Sequence, residues 1–241
     1  PAHHLANELI RQARLNMEPH AAIQADLSIE EQLETRLFET IAENLEAHGY
    51  AVLPAALPEA IADALLTYQA ALSERRFHRA RVGRGQQQTR NQLVRKDQIH
   101  WIQEQDANAA LWINWSTRLR NYLNRRLFLG LFSFESHFSL YKPGDYYRKH
   151  LDAFKGEANR VLSLVCYLNR GWEADHGGQL VIYHPENGEE LLRVLPGFGT
   201  LVLFLSEEFP HEVLPTDRER HAVAGWFRLN TSVGDQIDPP R

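Results

Sequence analysis

A mainly β fold with supporting α-helices, its strands arranged as a double-sheet jelly roll or barrel, is predicted by three features of the sequence. From Phe132 onward, about eight short β-type runs follow one another, separated by turn residues such as Pro143-Gly144, Gly177-Gly178, Asn187-Gly188 and Pro196-Gly197. Before Phe132, apolar residues recur at helical spacing instead. Apolar residues make up 44% of the 241-residue chain, enough for a sizeable core.

Residues 1–26 are polar and Ala-rich, without a clear apolar face, and read as a helix or an arm. A firm helix is predicted from Ser28, where Ser28-Ile29-Glu30-Glu31 has the pattern of a capping box. Leu33, Leu37, Ile41 and Leu45 form its apolar face, and His48-Gly49 stops it. Tyr50–Leu53 reads as a short strand, and Pro58 opens a second helix running to about Arg75. Residues 79–98 are rich in Arg, Gln, Gly and Asn, a long polar loop with a short hairpin. A third helix is predicted from about Asp106 to Asn124, with Leu111, Trp115, Leu119 and Tyr122 on its buried side. The strands are expected at 133–142, 146–150, 160–168, 178–184, 190–194, 199–205, 210–214 and 221–231. The whole chain reads as one domain, helical support and loop up to about residue 130 and a β core over 131–232.

A net charge of −5 and a pI near 6.2 argue against a dedicated nucleic-acid binder. The single cysteine, Cys166, lies in an apolar run and reads as a buried, inert thiol. No apolar run approaches the ~18–20 residues of a membrane span, and the N-terminus lacks a secretory pattern, so the cytoplasm is the expectation; the chain is separately expected to be a monomer.

The chemistry is concentrated in a few positions. In His150-Leu151-Asp152, residues two apart on an extended segment point to the same side, so an imidazole and a carboxylate converge. His211, between Pro210 and Glu212-Val213, can supply a third ligand. Two imidazoles and one carboxylate on one face of a metal leave positions open, the facial arrangement of non-haem Fe(II) oxygenases. A His-x-Asp pair arises readily by chance in a chain with 12 histidines. The combination is made specific by Arg220, nine residues beyond His211 and at the head of the last strand, where it can grip a dicarboxylate.

With these residues in hand, the sequence resembles the 2-oxoglutarate-dependent prolyl hydroxylases, and in particular the hypoxia-inducible-factor prolyl hydroxylases and their bacterial relatives. Tyr141-Lys142-Pro143-Gly144-Asp145-Tyr146-Tyr147 precedes His150-Leu151-Asp152 as in that family. Arg160…Tyr167-Leu168-Asn169, Trp172, Gly177-Gly178, Pro210-His211-Glu212-Val213, Arg220 and Trp226 follow at matching spacing. The likeness is strong over 138–230, thinner at 95–102, and confined to helical character in the first ~80 residues.

The resemblance implies a double-stranded β-helix (cupin-like) core, with N-terminal helices packed on it. It implies Fe(II) on His150, Asp152 and His211, with 2-oxoglutarate and O2 as co-substrates and ascorbate as an accessory reductant. Arg220 and Tyr167 would bind the far carboxylate of 2-oxoglutarate, and Tyr141, Val213 and Leu180 would line its pocket. Arg95, Asp97, Arg160, Trp226 and Tyr147 fall on the substrate side, with Asp97 and Arg160 expected to form an ion pair tying the loop over 76–98 to the core. The implied reaction is prolyl 4-hydroxylation of a protein, with elongation factor Tu the target suggested by the bacterial relatives.

Two positions depart from the family pattern: His137 stands where an apolar residue is usual, and Ala224 where a hydroxyl is usual. His137 reads either as a contact behind the cofactor or as a satisfied buried histidine. Two other functions stay open on the sequence: an oxygenase of a free amino acid, small acid or nucleobase, and a non-catalytic metal-binding jelly roll.

Overall fold

In the computed structural model, the described residues are 19–72, 77–79, 94–153 and 159–230. Two compact units divide between Glu43 and Asn44. Helix α1 spans Pro19–His48. It begins nine residues before the Ser28 start expected from the capping box; the Ala-rich stretch after Pro19 favours helix strongly enough to carry the chain through Ser28. Its buried residues are Phe38, Ile41, Ala42 and Leu45, whereas Leu33 is exposed. Ile41 and Leu45 thus lie on the predicted stripe, while Phe38 is buried in place of Leu37 because it has more apolar area to bury.

The second unit holds strands β1 (Tyr50–Leu53), β2 (His78–Arg79), β3 (Gln98–Trp101), β4 (Ser133–Tyr141), β5 (Tyr147–His150), β6 (Arg160–Tyr167), β7 (Leu180–Tyr183), β8 (Glu190–Val194), β9 (Leu201–Leu205), β10 (His211–Val213) and β11 (Arg220–Arg228). They form a major sheet ordered β1-β9-β6-β11-β4-β3-β2 and a minor sheet ordered β5-β10-β7-β8. Every named pairing is antiparallel. This is the mainly β jelly-roll core expected from the strand spacing, and all eight predicted runs are strands. β2 and β3 pair at the two ends of the polar loop; residues 80–93, with Arg81, Arg84 and Arg90, where the short hairpin was expected, lie outside the described residues.

Helices α2 (Glu59–Ala71) and α3 (Ala110–Leu127) cover the outer face of the major sheet. Tyr68 meets Phe138 edge-on at 5.3 Å, and the Trp112 indole donates to Ser136 Oγ at 3.0 Å. The buried side of α3 is Trp112, Trp115, Ser116, Leu119 and Leu123, while Leu111 is 52% exposed. Trp115 and Leu119 are buried as expected, while Trp112 and Leu123 take the places expected for Leu111 and Tyr122: of two adjacent apolar residues, the indole of Trp112 buries more surface and brings its N–H to a partner. Cys166 is fully buried, and burial pushes its thiol up to about 12, consistent with an inert thiol. No described helix is long and apolar enough to cross a membrane.

Candidate metal and dicarboxylate site

The register of the minor sheet brings the predicted ligands together. His211 on β10 is the direct cross-strand partner of His150 on β5, which puts both imidazoles on one face. Asp152 follows two residues after His150, in the turn that leaves β5. Ligand-capable atoms of all three lie within 4.8 Å of one another. Asp152 Oδ1 is 3.5 Å from His150 Nε2 and 3.6 Å from His211 Nε2.

Both rings are held by the main chain. Nδ1 of His150 bonds to the carbonyl of Arg148 at 2.7 Å, and Nδ1 of His211 to the carbonyl of Phe209 at 3.0 Å. A carbonyl only accepts, so each Nδ1 carries a proton, and in the neutral ring Nε2 presents its lone pair toward the shared point. Burial lowers the His211 pKa to about 4, with Asp152 opposing, so the ring is neutral at physiological pH. Burial acts to raise the Asp152 pKa, but His211, His150 and Ser163 together hold the carboxyl well below its usual range. Neutral imidazoles and an ionised carboxylate are the forms that bind a cation.

Tyr147 stacks on His150 with ring centroids 3.6 Å apart, and the Arg95 guanidinium lies 4.6 Å from the Tyr147 ring centre on β5. Arg95 in turn holds Asp97 through two hydrogen bonds, of 2.5 and 2.9 Å. The segment 94–96 is fastened to the minor sheet: Arg148 N–H donates to the Val94 carbonyl and Lys96 N–H to the Tyr146 carbonyl. Two residues on, β3 joins the major sheet beside β4. The chain from 94 to 101 therefore bridges the two sheets beside the metal-ligand cluster.

A cavity of about 450 Å³ opens from the cluster. His137, Ser139 and Tyr141 line it from alternate positions of β4, as their spacing predicted, with Val165 and Tyr167 from β6, Leu180 from β7, Val213 from β10, and Arg220, Ala222, Ala224 and Trp226 from β11. Arg220 is 2% exposed, donates Nε–H to the Gly178 carbonyl at 2.7 Å, and lies between Tyr141 and Tyr167 at 4.8 and 4.9 Å from their ring centres. Among the described residues no carboxylate pairs with it. The neighbouring Tyr167 hydroxyl is buried without a hydrogen-bond partner. A buried cation and an orphaned hydroxyl side by side are costly unless an anionic acceptor joins them. These residues fit one carboxylate of a diacid, and the lone pairs of the His-Asp-His cluster fit a divalent metal.

Arg95, Tyr147, Arg160 and Trp226 also line this cavity, whereas Asp97 lies buried behind Arg95. The expected Asp97–Arg160 ion pair is replaced by two others. Asp97 is satisfied by Arg95, and Arg160 bonds to Glu135 at 2.8 and 3.1 Å with its guanidinium 3.8 Å from the Trp226 ring centre. The physical reason is register: Glu135 pairs with Trp226, and Arg160 pairs with Arg228 two positions along β11, so Glu135 is the carboxylate the main chain delivers to Arg160. His137 is buried between Trp101 and Trp226 and shares Nδ1 with the Phe138 carbonyl and Ser139 Oγ, each at 3.2 Å. It is a satisfied histidine that also faces the cavity.

Sequence reasoning missed Glu135 and two hydroxyls behind Asp152, Ser163 and Ser206. Ser163 was legible in principle: it precedes Val165 and Tyr167 on the inward face of β6 at a spacing of two.

Comparison with known proteins agrees with the geometry. The sequence model of the 2OG-Fe(II) oxygenase superfamily matches residues 136–228, the segment that carries the whole ligand cluster and Arg220. The solved prolyl-4-hydroxylase of Pseudomonas putida is 38% identical, with a TM-score of 0.70 over 80% of this chain and 98% of that one. A Trichoplax adhaerens prolyl hydroxylase, solved with a hypoxia-inducible-factor peptide fragment, is 26% identical with a TM-score of 0.69 over 83% and 92% of the respective chains. The human prolyl hydroxylase EGLN3 is 37% identical over 86 residues, 35% of this chain and 35% of that protein, so the match spans about a third of that curated relative.

Proposed function

Since the chain belongs to the 2OG-Fe(II) oxygenase superfamily and its homologues are prolyl hydroxylases, we propose that it hydroxylates a proline of a protein substrate at the cavity of the second unit. The reading is carried by one observation: ligand atoms of His150, Asp152 and His211 converge in the same cavity as a buried arginine that has no carboxylate partner among the described residues.

In this reading His150, Asp152 and His211 hold Fe(II), which with 2-oxoglutarate and O2 supplies oxidative decarboxylation to succinate and the oxidising power to place a hydroxyl on carbon. Each chain residue then has a defined task. Arg220 and the Tyr167 hydroxyl take the far carboxylate of 2-oxoglutarate by charge-assisted hydrogen bonds. Tyr141 flanks the guanidinium from the opposite side. Leu180, Val165 and Val213 exclude water, which strengthens the charge pairing and protects the reacting centre. Arg95, Tyr147, Arg160 and Trp226 form the outer wall that a peptide would meet, and Asp97 fixes Arg95 there.

The test is direct. Protein supplied with Fe(II), 2-oxoglutarate and ascorbate should form succinate. In a proteome digest, it should add one oxygen atom to a peptide proline, with elongation factor Tu the first protein to map. Succinate formation with oxidation only of a small molecule or a nucleobase would replace the proline reading, and no succinate at all would remove the oxygenase reading.

A further inference from the structure

The carboxylate of Asp152 is not held by the metal cluster alone. Its second oxygen, Oδ2, accepts a hydrogen bond from Ser163 Oγ at 2.6 Å, and Ser163 Oγ lies 2.9 Å from Ser206 Oγ. Both serines are buried, at 1% and 0% exposure. The proton order follows from chemistry. An ionised carboxylate can only accept, so the Ser163 proton goes to Asp152. The Ser163 oxygen then accepts, and Ser206 supplies the proton between the two hydroxyls. The chain O–H···O–H···O⁻ runs one way only and polarises toward the carboxylate.

The main chain reinforces it. Ser206 N–H donates to the Val161 carbonyl at 3.0 Å, and its own carbonyl accepts from Ala153 N–H at 3.3 Å. The turn that carries Asp152 leaves the minor sheet but is anchored, by the Asp152 side chain and the Ala153 main chain, to residues on and next to β6 and β9 of the major sheet. The ring hydrogen bonds of the two histidines go instead to carbonyls of their own segments.

We propose that Ser163 and Ser206 form a positioning relay that commits Asp152 to offering one oxygen, Oδ1, to the metal. With Oδ2 capped, the carboxylate cannot swing both oxygens onto the ion, and the coordination position it would take stays available to the co-substrates. This inference rests on the metal-binding reading of His150, Asp152 and His211. Ser163 and Ser206 are positioning residues: they act through Asp152.

The experiment titrates the full chain with Co(II) in place of Fe(II), following affinity and the visible ligand-field spectrum, with and without 2-oxoglutarate. Ser163→Ala should weaken Co(II) binding by about 10–100-fold, the usual effect of removing a partner that orients a ligand. It should also shift the spectrum toward higher coordination before 2-oxoglutarate is added. Ser163→Thr keeps the hydroxyl on a strand position and should restore both. Ser206→Ala should give a smaller loss with the same spectral direction. If Ser163→Ala is misfolded by circular dichroism, Ser206→Ala decides. Wild-type affinity and an unchanged spectrum in the folded Ser163→Ala protein, or in Ser206→Ala when it decides, would overturn the relay. Failure of the wild-type chain to bind Co(II) at all would overturn the metal reading itself, and the relay with it.

Discussion

Arg220 donates its Nε–H to the main-chain oxygen of Gly178 at 2.7 Å, and Gly178 adopts φ +67, a conformation glycine takes without cost. A Cβ there would sit 3.0 Å from Arg220 Cδ and 3.2 Å from the Thr216 side chain. The absence of a side chain at Gly178 is what lets the guanidinium lie where it does.

Gly178→Ala should therefore destabilise the fold by about 1–2 kcal/mol through left-handed backbone alone, and also raise the KM for 2-oxoglutarate by pushing Arg220 aside. Arg220→Ala leaves one carboxylate of the diacid buried without a partner. It should lose about 3–5 kcal/mol of 2-oxoglutarate affinity, read by calorimetry or by the concentration dependence of succinate formation. Equal 2-oxoglutarate affinity in Arg220→Ala and wild type would show that the diacid binds elsewhere.

Tyr147 stacks on the metal-ligand candidate His150, so its ring rather than its hydroxyl is what orients the imidazole. Tyr147→Phe should keep metal affinity near wild type, while Tyr147→Ala should weaken it by about 0.5–1.5 kcal/mol, the usual worth of an aromatic contact. Equal losses in the two variants would assign the effect to the hydroxyl instead.

His137 gives a stability signature in pH. Burial, with the charge of Arg95 adding to it and Asp97 opposing, lowers its pKa to about 3. An unfolded histidine titrates near 6.5, so between those two values the unfolded chain takes up a proton that the folded chain refuses. The neutral-His contribution is complete above pH 6.5 and is lost as pH falls toward 3, with a slope approaching about 1.4 kcal/mol per pH unit. Denaturant unfolding at pH 7 and pH 5.5 should show a smaller acid loss in His137→Phe than in wild type. Identical losses would mean His137 is protonated in the folded protein.

The exchange of ion-pair partners is testable by double-mutant cycles. Arg95 and Asp97 are joined by two hydrogen bonds and should couple strongly, as should Arg160 and Glu135. Asp97→Asn and Arg160→Gln should combine additively within about 0.5 kcal/mol. A coupling between those last two as large as that of Arg95 with Asp97 would restore the pairing expected from sequence.

The parts of this molecule that were readable beforehand are those encoded by period and spacing. In strands the side-chain period is two, so His137, Ser139 and Tyr141 share a face, and His150 with Asp152 must converge whatever surrounds them. The nine-residue step from His211 to Arg220 spans a single connection, from β10 in the minor sheet to β11 in the major sheet. The helical faces were harder. At Leu37-Phe38 and Leu111-Trp112 two apolar residues are adjacent, and the 3.6-residue period alone does not choose between them; the larger ring won in both cases. Partner choice was hardest. Arg160 has several acidic residues within reach in sequence terms, and only the register of β4, β6 and β11 singles out Glu135.

Because residues 94–96 are hydrogen-bonded to β5 while β3 belongs to the opposite sheet, the rim carrying Arg95 is a main-chain tie with both ends clamped. The backbone side of the entrance is then fixed by main-chain bonds, and the side chains of Arg95, Tyr147, Arg160 and Trp226 set the rest of its width. For the proposed peptide substrate, admitting a residue that this backbone excludes requires the 94–96 bonds to open, so selection there depends on how easily a few edge hydrogen bonds break. Hydrogen exchange at Lys96 and Arg148, compared with and without a bound peptide, would report that opening.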